Sequence, residues 1–438
     1  MAKRDIATRE VTTLGRKLSE VLSDAEVEKV ARRCGFLQRR REIAPAALLI
    51  ACLSTLGAGT AAWLADILRA FNALTRKAVR YKPFHNQLSK RKFPIFMHAI
   101  LERVLAKLTA PVLESLPKGK LAQFSEVLCH DGTSFALKDT LAKKWPGRFT
   151  KVTPAAVELH VTMSVLSDNP VAITLAADKE SERRFAPEAK SLKKRLILED
   201  RGFEDRVVFA DTREAEGFFI VRGKKNSRPI IRSARDEDGR RLPRLEGRRL
   251  KWRMLPRHTV DLDIEWKINS RRTYCGRLVA IYIERGSNKK SYTYLHSNLS
   301  RTTFTAHEVG RIYRLRWQIE LLFKEWKSYA NLHKFDTTKS PIAEGLIWAS
   351  LLTATIKRAI THAAERACGI PLSTRRAACS AKHFLDAILA SILESAVRLL
   401  ADIRSAFAFL AENAPRAHLK RDQRSGRLAM ELRHVGAA

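Results

Sequence analysis

The chain has 438 residues, 45% of them hydrophobic, which is enough for real cores and two to four domains and excludes a disordered polymer. Lys and Arg number 81 against 46 Asp and Glu, giving +35 and a pI near 10.4; such self-repulsion implies a polyanionic partner, and a small acidic or neutral substrate does not demand it. Cys34, Cys52, Cys129, Cys275, Cys368 and Cys379 form no CxxC or Cys/His cluster, which argues against a zinc site or disulfide framework and fits a reducing cytoplasm, and the charged N-terminus is no signal region.

Residues 1–118 read as a helical, DNA-binding region. Ser23-Asp24-Ala25-Glu26 has the pattern of a capping box. The most apolar segment, Ile43 to Leu68, is broken by polar residues and reads as two buried helices meeting near Gly57 and Gly59, not as a membrane span. Arg76 to Lys92 interleaves Lys and Arg with Tyr81, Phe84 and His85, as a DNA-reading element does. Pro117-Lys118-Gly119-Lys120 then has linker composition.

From Phe124 the period changes to that of strands. Phe124–His130 reads as a short strand running into the turn Asp131-Gly132-Thr133, Glu158–Val165 as a second, and Val171–Ala176 as a third after Asp168-Asn169-Pro170. Pro187–Lys194 is helix-like, Leu196–Glu199 precedes Asp200-Arg201-Gly202-Phe203, and Phe218–Val221 is another strand. Strands first and helices after give an α+β class. Residues 223–298 are dense in Arg and Lys with short alternating runs such as Leu278–Ile283, a β-rich insertion. Ile342–Ile360 and Phe384–Glu412 read as amphipathic helices, and the tail from Pro415 is polar and basic.

Between them lies Tyr313 to Lys327, without Gly or Pro. At about 100° per residue, Tyr313, Arg316, Glu320 and Lys327 share one stripe, and Leu315, Ile319, Leu322, Phe323 and Trp326 form an apolar face beside it. A carboxylate between cations at the edge of a buried face costs desolvation, so the stripe is either a salt-bridged edge or a site.

The spacing Tyr-x2-Arg-x3-Glu-x6-Lys resembles the signature of a large group of bacterial insertion-sequence transposases of the DDE (Asp-Asp-Glu) class. The resemblance covers roughly residues 120 to 365. It implies a ribonuclease H-like mixed sheet divided as 119–222 and 299–365 by the insertion at 223–298; the C-terminal helical region over 366–438, like the N-terminal one, rests on composition and position alone. It also implies that Glu320 is the third of three metal-binding carboxylates.

Asp131, closing an apolar strand before Gly-Thr, is the first candidate. For the second, Asp200 and Asp211 compete. Asp200 precedes Arg222 by 22 residues, room for a crossover helix, whereas Asp211 leaves 11; the Asp-Arg-Gly-aromatic block of the family also matches Asp200. His130, beside Asp131, points to the opposite side of the strand.

Three acids suit phosphodiester chemistry with two Mg²⁺ or Mn²⁺ ions, about 3.5–4 Å apart, one activating water or a 3′-hydroxyl and the other stabilising the leaving oxygen. The resemblance assigns Arg316, Lys327, Tyr313 and Arg222 to DNA phosphates and places Trp317 beside them. Related transposases flip a base onto an aromatic wedge; here Tyr292 and Tyr294 stand near the position of the family Trp. The implied activity is a DNA transposase that cuts at its element's terminal inverted repeats and joins the 3′-hydroxyl ends to target DNA. The expected partners are inverted-repeat and target DNA and a second copy of the chain, in the cytoplasm at the nucleoid. An inactive DNA-binding derivative and a nuclease without strand transfer are the alternatives.

Overall fold

The computed structural model describes residues 6–58, 64–109, 119–284, 291–330, 332 and 335–420. Gly59, the break at Pro117-Lys118 and the tail beyond residue 420 lie outside the described residues.

The helical N-terminal part comprises α1 (Thr8–Leu22), α2 (Asp24–Arg33), α3 (Pro45–Gly57), α4 (Leu64–Thr75), α5 (Tyr81–Leu88) and α6 (Lys92–Val104). Ser23 does precede α2, but its side chain makes no capping hydrogen bond. In the segment Arg76 to Lys92, Phe84 is buried and Tyr81 lies exposed beside His85, ring centroids 5.8 Å apart.

Nine strands follow: β1 (Glu126–Ala136), β2 (Ala156–Ser164), β3 (Asn169–Ala177), β4 (Arg195–Glu199), β5 (Phe218–Arg222), β6 (Ile230–Asp236), β7 (Val260–Lys267), β8 (Thr273–Ile283) and β9 (Ser291–Ser297). They form one sheet in the order β3-β2-β1-β4-β5-β9-β8-β7-β6. β1 to β3 are antiparallel neighbours, while β4 and β5 run parallel to β1. This is the ribonuclease H-like arrangement, and the parallel step from β4 to β5 is made by α7 (Arg206–Glu214), the crossover such a pair requires.

One expectation changes here. β1 does not turn at Asp131: it continues to Ala136 because β2 pairs with it throughout, Asp131 opposite Val161. The insertion lengthens the sheet. β9 pairs antiparallel with β5 and so covers an edge that would otherwise be open, and β8, β7 and β6 continue outward. Two cores result, one on the helical side and one formed by the insertion with α7, β4 and β5.

After β9 come α8 (Ala306–Tyr313), a 3₁₀ turn (Arg314–Arg316) and α9 (Trp317–Tyr329). Thr305 opens α8 with a full capping box, its hydroxyl accepting from Glu308 N and the Glu308 carboxylate accepting from Thr305 N. The expected single helix is thus two helices joined by a tighter turn. α10 (Ser340–Cys368) is the spine of the helical half. It packs on α1, α3, α6 and α13 (Ala396–Asn413), with α11 (Thr374–Cys379) and α12 (Leu385–Glu394) completing the layer. At Gly345 a Cβ would fall 2.2 Å from Phe93 Cε1, so glycine permits the close approach of α10 to α6. No described helix is long and apolar enough to cross a membrane.

Candidate active site

Register alone brings two of the acids level. Cys129 of β1 pairs with Leu198 of β4 in parallel, so two residues further on Asp131 stands level with Asp200, which follows the last residue of β4. The next step repeats it: Glu199 pairs with Val221, and Asp200 is level with Arg222 at the end of β5. Asp131, Asp200 and Arg222 therefore sit in one row where the parallel strands end. Side chains alternate along a strand, so Asp131 shares the face of Cys129, whose thiol lies 3.7 Å from the carbonyl oxygen of Leu315 in the 3₁₀ turn. His130 faces away, buried, with Nδ1 3.0 Å from Thr162 Oγ1 and its ring edge-on to Phe203.

The third acid arrives from above. α9 docks through Ile319, Leu322, Phe323 and Trp326, as the apolar stripe demands. Glu320 is thereby held on the edge facing Asp131, and one guanidinium joins them: Arg316 Nη1 is 3.0 Å from Asp131 Oδ2, and Nη2 is 3.2 Å from Glu320 Oε1. The Arg316 guanidinium carbon is 6.0 Å from the Tyr313 ring centre. On the other side Arg222 Nη1 approaches Asp200 Oδ1 at 3.5 Å.

The electrostatics follow from burial against charge. Burial pushes the Asp131 carboxyl up to about 6; Arg316 opposes the rise, and the charges of Glu320 and Asp200 add to it. Burial works against the Arg316 charge, but Tyr313, Asp131, Asp200 and Glu320 outweigh it and hold the guanidinium above its ordinary value. Glu199, buried beside Asp131, is pushed up to about 8 by burial and by that neighbour. Among the described residues no three His, Cys, Asp or Glu side chains already enclose a metal position, since Arg316 lies between Asp131 and Glu320.

The Transposase DDE domain family matches residues 122–356, more than half of the chain and all of the elements just described. The chain belongs to this family. It is a DDE-type DNA transposase. Among its relatives, the transposase for insertion sequence element IS1151 of Clostridium perfringens is 21% identical over 389 residues, 78% of this chain and 80% of that protein. The transposase for insertion sequence element IS231E of Bacillus thuringiensis subsp. finitimus is 18% identical over 379 residues, 78% of each. A solved piggyBac transposase synaptic complex with hairpin DNA aligns over 99% of this chain and 88% of its own, at 12% identity and a TM-score of 0.43.

Other expected residues of the transposase stand apart. Trp317, half-buried at the start of α9, has Lys324 Nζ 4.9 Å from a ring centre, and Lys327 is exposed in the last turn. Tyr292 and Tyr294 are corrected: both lie in the insertion core, 8% and 4% exposed, and the Tyr292 hydroxyl donates to Pro256 O at 2.6 Å. An aromatic at an inward position of a covered strand is used for packing, so neither ring is open to a base. Asp211, the other contender for second acid, lies on α7 and pairs with Arg272 at 2.6 Å.

The sequence reading passed over a buried ionic group behind the site. Glu325 of α9 faces Arg358 of α10, which also reaches the Asp168 carboxylate at 2.9 Å and carbonyl at 2.7 Å; His362 Nε2 is 3.3 Å from the same carboxylate. Asp168 turns the β2–β3 hairpin at φ +53°, a left-handed position that Asp tolerates. The available signal was an acid, Glu325, lodged between Phe323 and Trp326.

Proposed function

We propose that Asp131, Asp200 and Glu320 are the three metal-binding carboxylates of this transposase, and that it cuts at the terminal inverted repeats of its own insertion sequence and joins the freed 3′-hydroxyls to target DNA. The observation that carries the reading is the row in which Asp131 of β1 stands level with Asp200, just past the end of the parallel β4, with Glu320 tied to Asp131 through a single guanidinium.

The donor set fits a hard divalent cation. Three carboxylates from three separate elements offer only oxygen, the choice suited to Mg²⁺ or Mn²⁺, and Asp131 is pushed up by burial and, less, by the charges of Glu320 and Asp200, a cost that a cation would relieve. Two such ions, when bound, would activate water or the 3′-hydroxyl and stabilise the leaving oxygen. Arg316 keeps Asp131 and Glu320 compensated beforehand and then turns toward the scissile phosphate, for which a planar fork of donors is suited. Arg222, beside Asp200, and Lys327, Tyr313 and Trp317 on the helices above, contact the flanking DNA strand.

Two copies of the chain pair two element ends at the nucleoid, with the N-terminal region 1–118 gripping DNA beyond the catalytic parts 119–222 and 299–365. A strand-transfer assay tests the reading: full-length protein with Mg²⁺, a pre-cut duplex from the DNA bordering the coding region and a supercoiled target. Joined products are expected. Hydrolysis of the duplex without joining would leave a nuclease.

A further inference from the structure

The row that holds Asp131 does not stop at β5. Arg222 pairs with Leu295, Leu295 with Val279, Val279 with Asp261, and Asp261 with Arg235 of β6. Beyond β6 the chain folds back alongside it, Arg241 opposite Arg235 and Arg249 opposite Ile230. Leu245, Leu250 and Leu255 are buried in the insertion core and pin this strap to the sheet edge. Residues 240–257 contain eight Lys or Arg and one acid, Glu246, which pairs with Arg241. Arg244, Arg248, Arg249 and Lys251 are exposed, and no carboxylate among the described residues forms an ion pair with them.

Clustered unpaired cations repel one another, and a strap that only had to guard a sheet edge needs one or two. Seven strand-to-strand steps of about 4.8 Å, six to β6 and one more to the strap alongside it, put the strap about 34 Å from Asp131 across the sheet. That is roughly ten base pairs of duplex at about 3.4 Å each.

We infer that this strap is a second duplex-DNA contact, in which Arg244, Arg248, Arg249 and Lys251 bind backbone phosphates roughly ten base pairs from the phosphate held at Asp131. The distance rests on the proposed active site; the phosphate binding does not. The contact reads no sequence and fixes how the duplex lies across the sheet.

The test compares the full-length chain with a variant carrying Arg244→Gln, Arg248→Gln, Arg249→Gln and Lys251→Gln. Affinity for a random-sequence duplex of about 40 base pairs is measured by fluorescence anisotropy from about 50 to 200 mM KCl. Four lost contacts at about 0.9 each should make the log–log salt slope shallower by about 3.6, with an unchanged melting temperature. An unchanged slope overturns the inference, as does an unchanged slope with new aggregation, the sign of edge guarding. Hydroxyl-radical footprinting on a duplex from the DNA bordering the coding region then tests the distance. Protection about ten base pairs from the nick should vanish in the variant while protection at the nick remains; protection retained at that distance overturns the placement. Asp200→Asn separates the two readings: if it still nicks, the active-site reading fails, while the slope result stands.

Discussion

Arg358 Nη1 lies 2.7 Å from Glu325 Oε2, joining α9 to α10 in a place where the two side chains are 3% and 5% exposed. A buried pair of this kind adds little over well-packed apolar residues, but breaking it strands a charge. Arg358→Met should cost about 3–5 kcal/mol, because Glu325 and Asp168 both lose a partner. Glu325→Leu with Arg358→Met should recover part of that loss, since only Asp168, still beside His362, remains. Urea unfolding of both variants checks this. A double variant no more stable than the single one would mean that the pair is not what the site lacks.

Asp200→Asn should abolish cleavage, whereas Asp211→Asn should retain it. Asp211 and Arg272 are 44% and 34% exposed, so the lost pair is worth about 1 kcal/mol or less. Nicking of supercoiled plasmid in Mg²⁺ by the two proteins decides. Activity in the first and none in the second would move the second acid to α7.

Arg316→Ala leaves Asp131 and Glu320 facing each other without the guanidinium between them. In EDTA this variant should melt below the wild type, and added Mg²⁺ should raise its melting temperature more than the wild type's, because the ion supplies the missing charge. Equal gains in the two proteins would show that Arg316 does not stand in the ion's place.

Much of this site was legible in the sequence because its signals are local. Asp200 stands at an element boundary and Glu320 in a helical pattern that spacing alone defines, Asp131 follows an apolar run although its strand continues past it, and Arg316 reaches Glu320 as an i,i+4 pair whether or not a 3₁₀ turn precedes the helix. The rest depends on pairing between distant segments. That β9 would join β5 and continue the sheet is a choice of edge, and local alternation does not specify a partner. Tyr292 and Tyr294 were misread for the same reason: their inward direction is fixed by β8 and by Leu255 and Pro256, far off in sequence. Glu325 sits about 120° around from Tyr313, outside the apolar stripe drawn from Leu315 to Trp326, and only the docking of α10 shows that this flank is buried as well.

Lys357, one residue before Arg358, gives a pH signature. Burial pushes its ammonium down to about 8, while Nζ donates to Gly57 O at 2.9 Å. As pH rises from about 8 to 10.4 the folded chain sheds this proton before the unfolded one does, so the unfolded state binds more protons and stability rises across that window. Below pH 8 the gain is absent. The contribution is at most about 3 kcal/mol. Lys357→Met should flatten this part of the stability-versus-pH curve; an identical rise in both proteins would assign it to other groups.

The claim that Asp131, Asp200 and Glu320 form the metal site rests most directly on Glu320→Gln, which removes a ligand's charge and almost no volume. The measurement is the Mg²⁺-dependent nicking rate of a duplex from the DNA bordering the coding region, at protein concentrations where wild type and variant bind it equally. The expected result is a loss of at least about 100-fold, since even outer-shell changes at metal sites cost 10–100-fold, with DNA affinity and salt slope unchanged. Nicking within a few-fold of the wild-type rate would contradict the account.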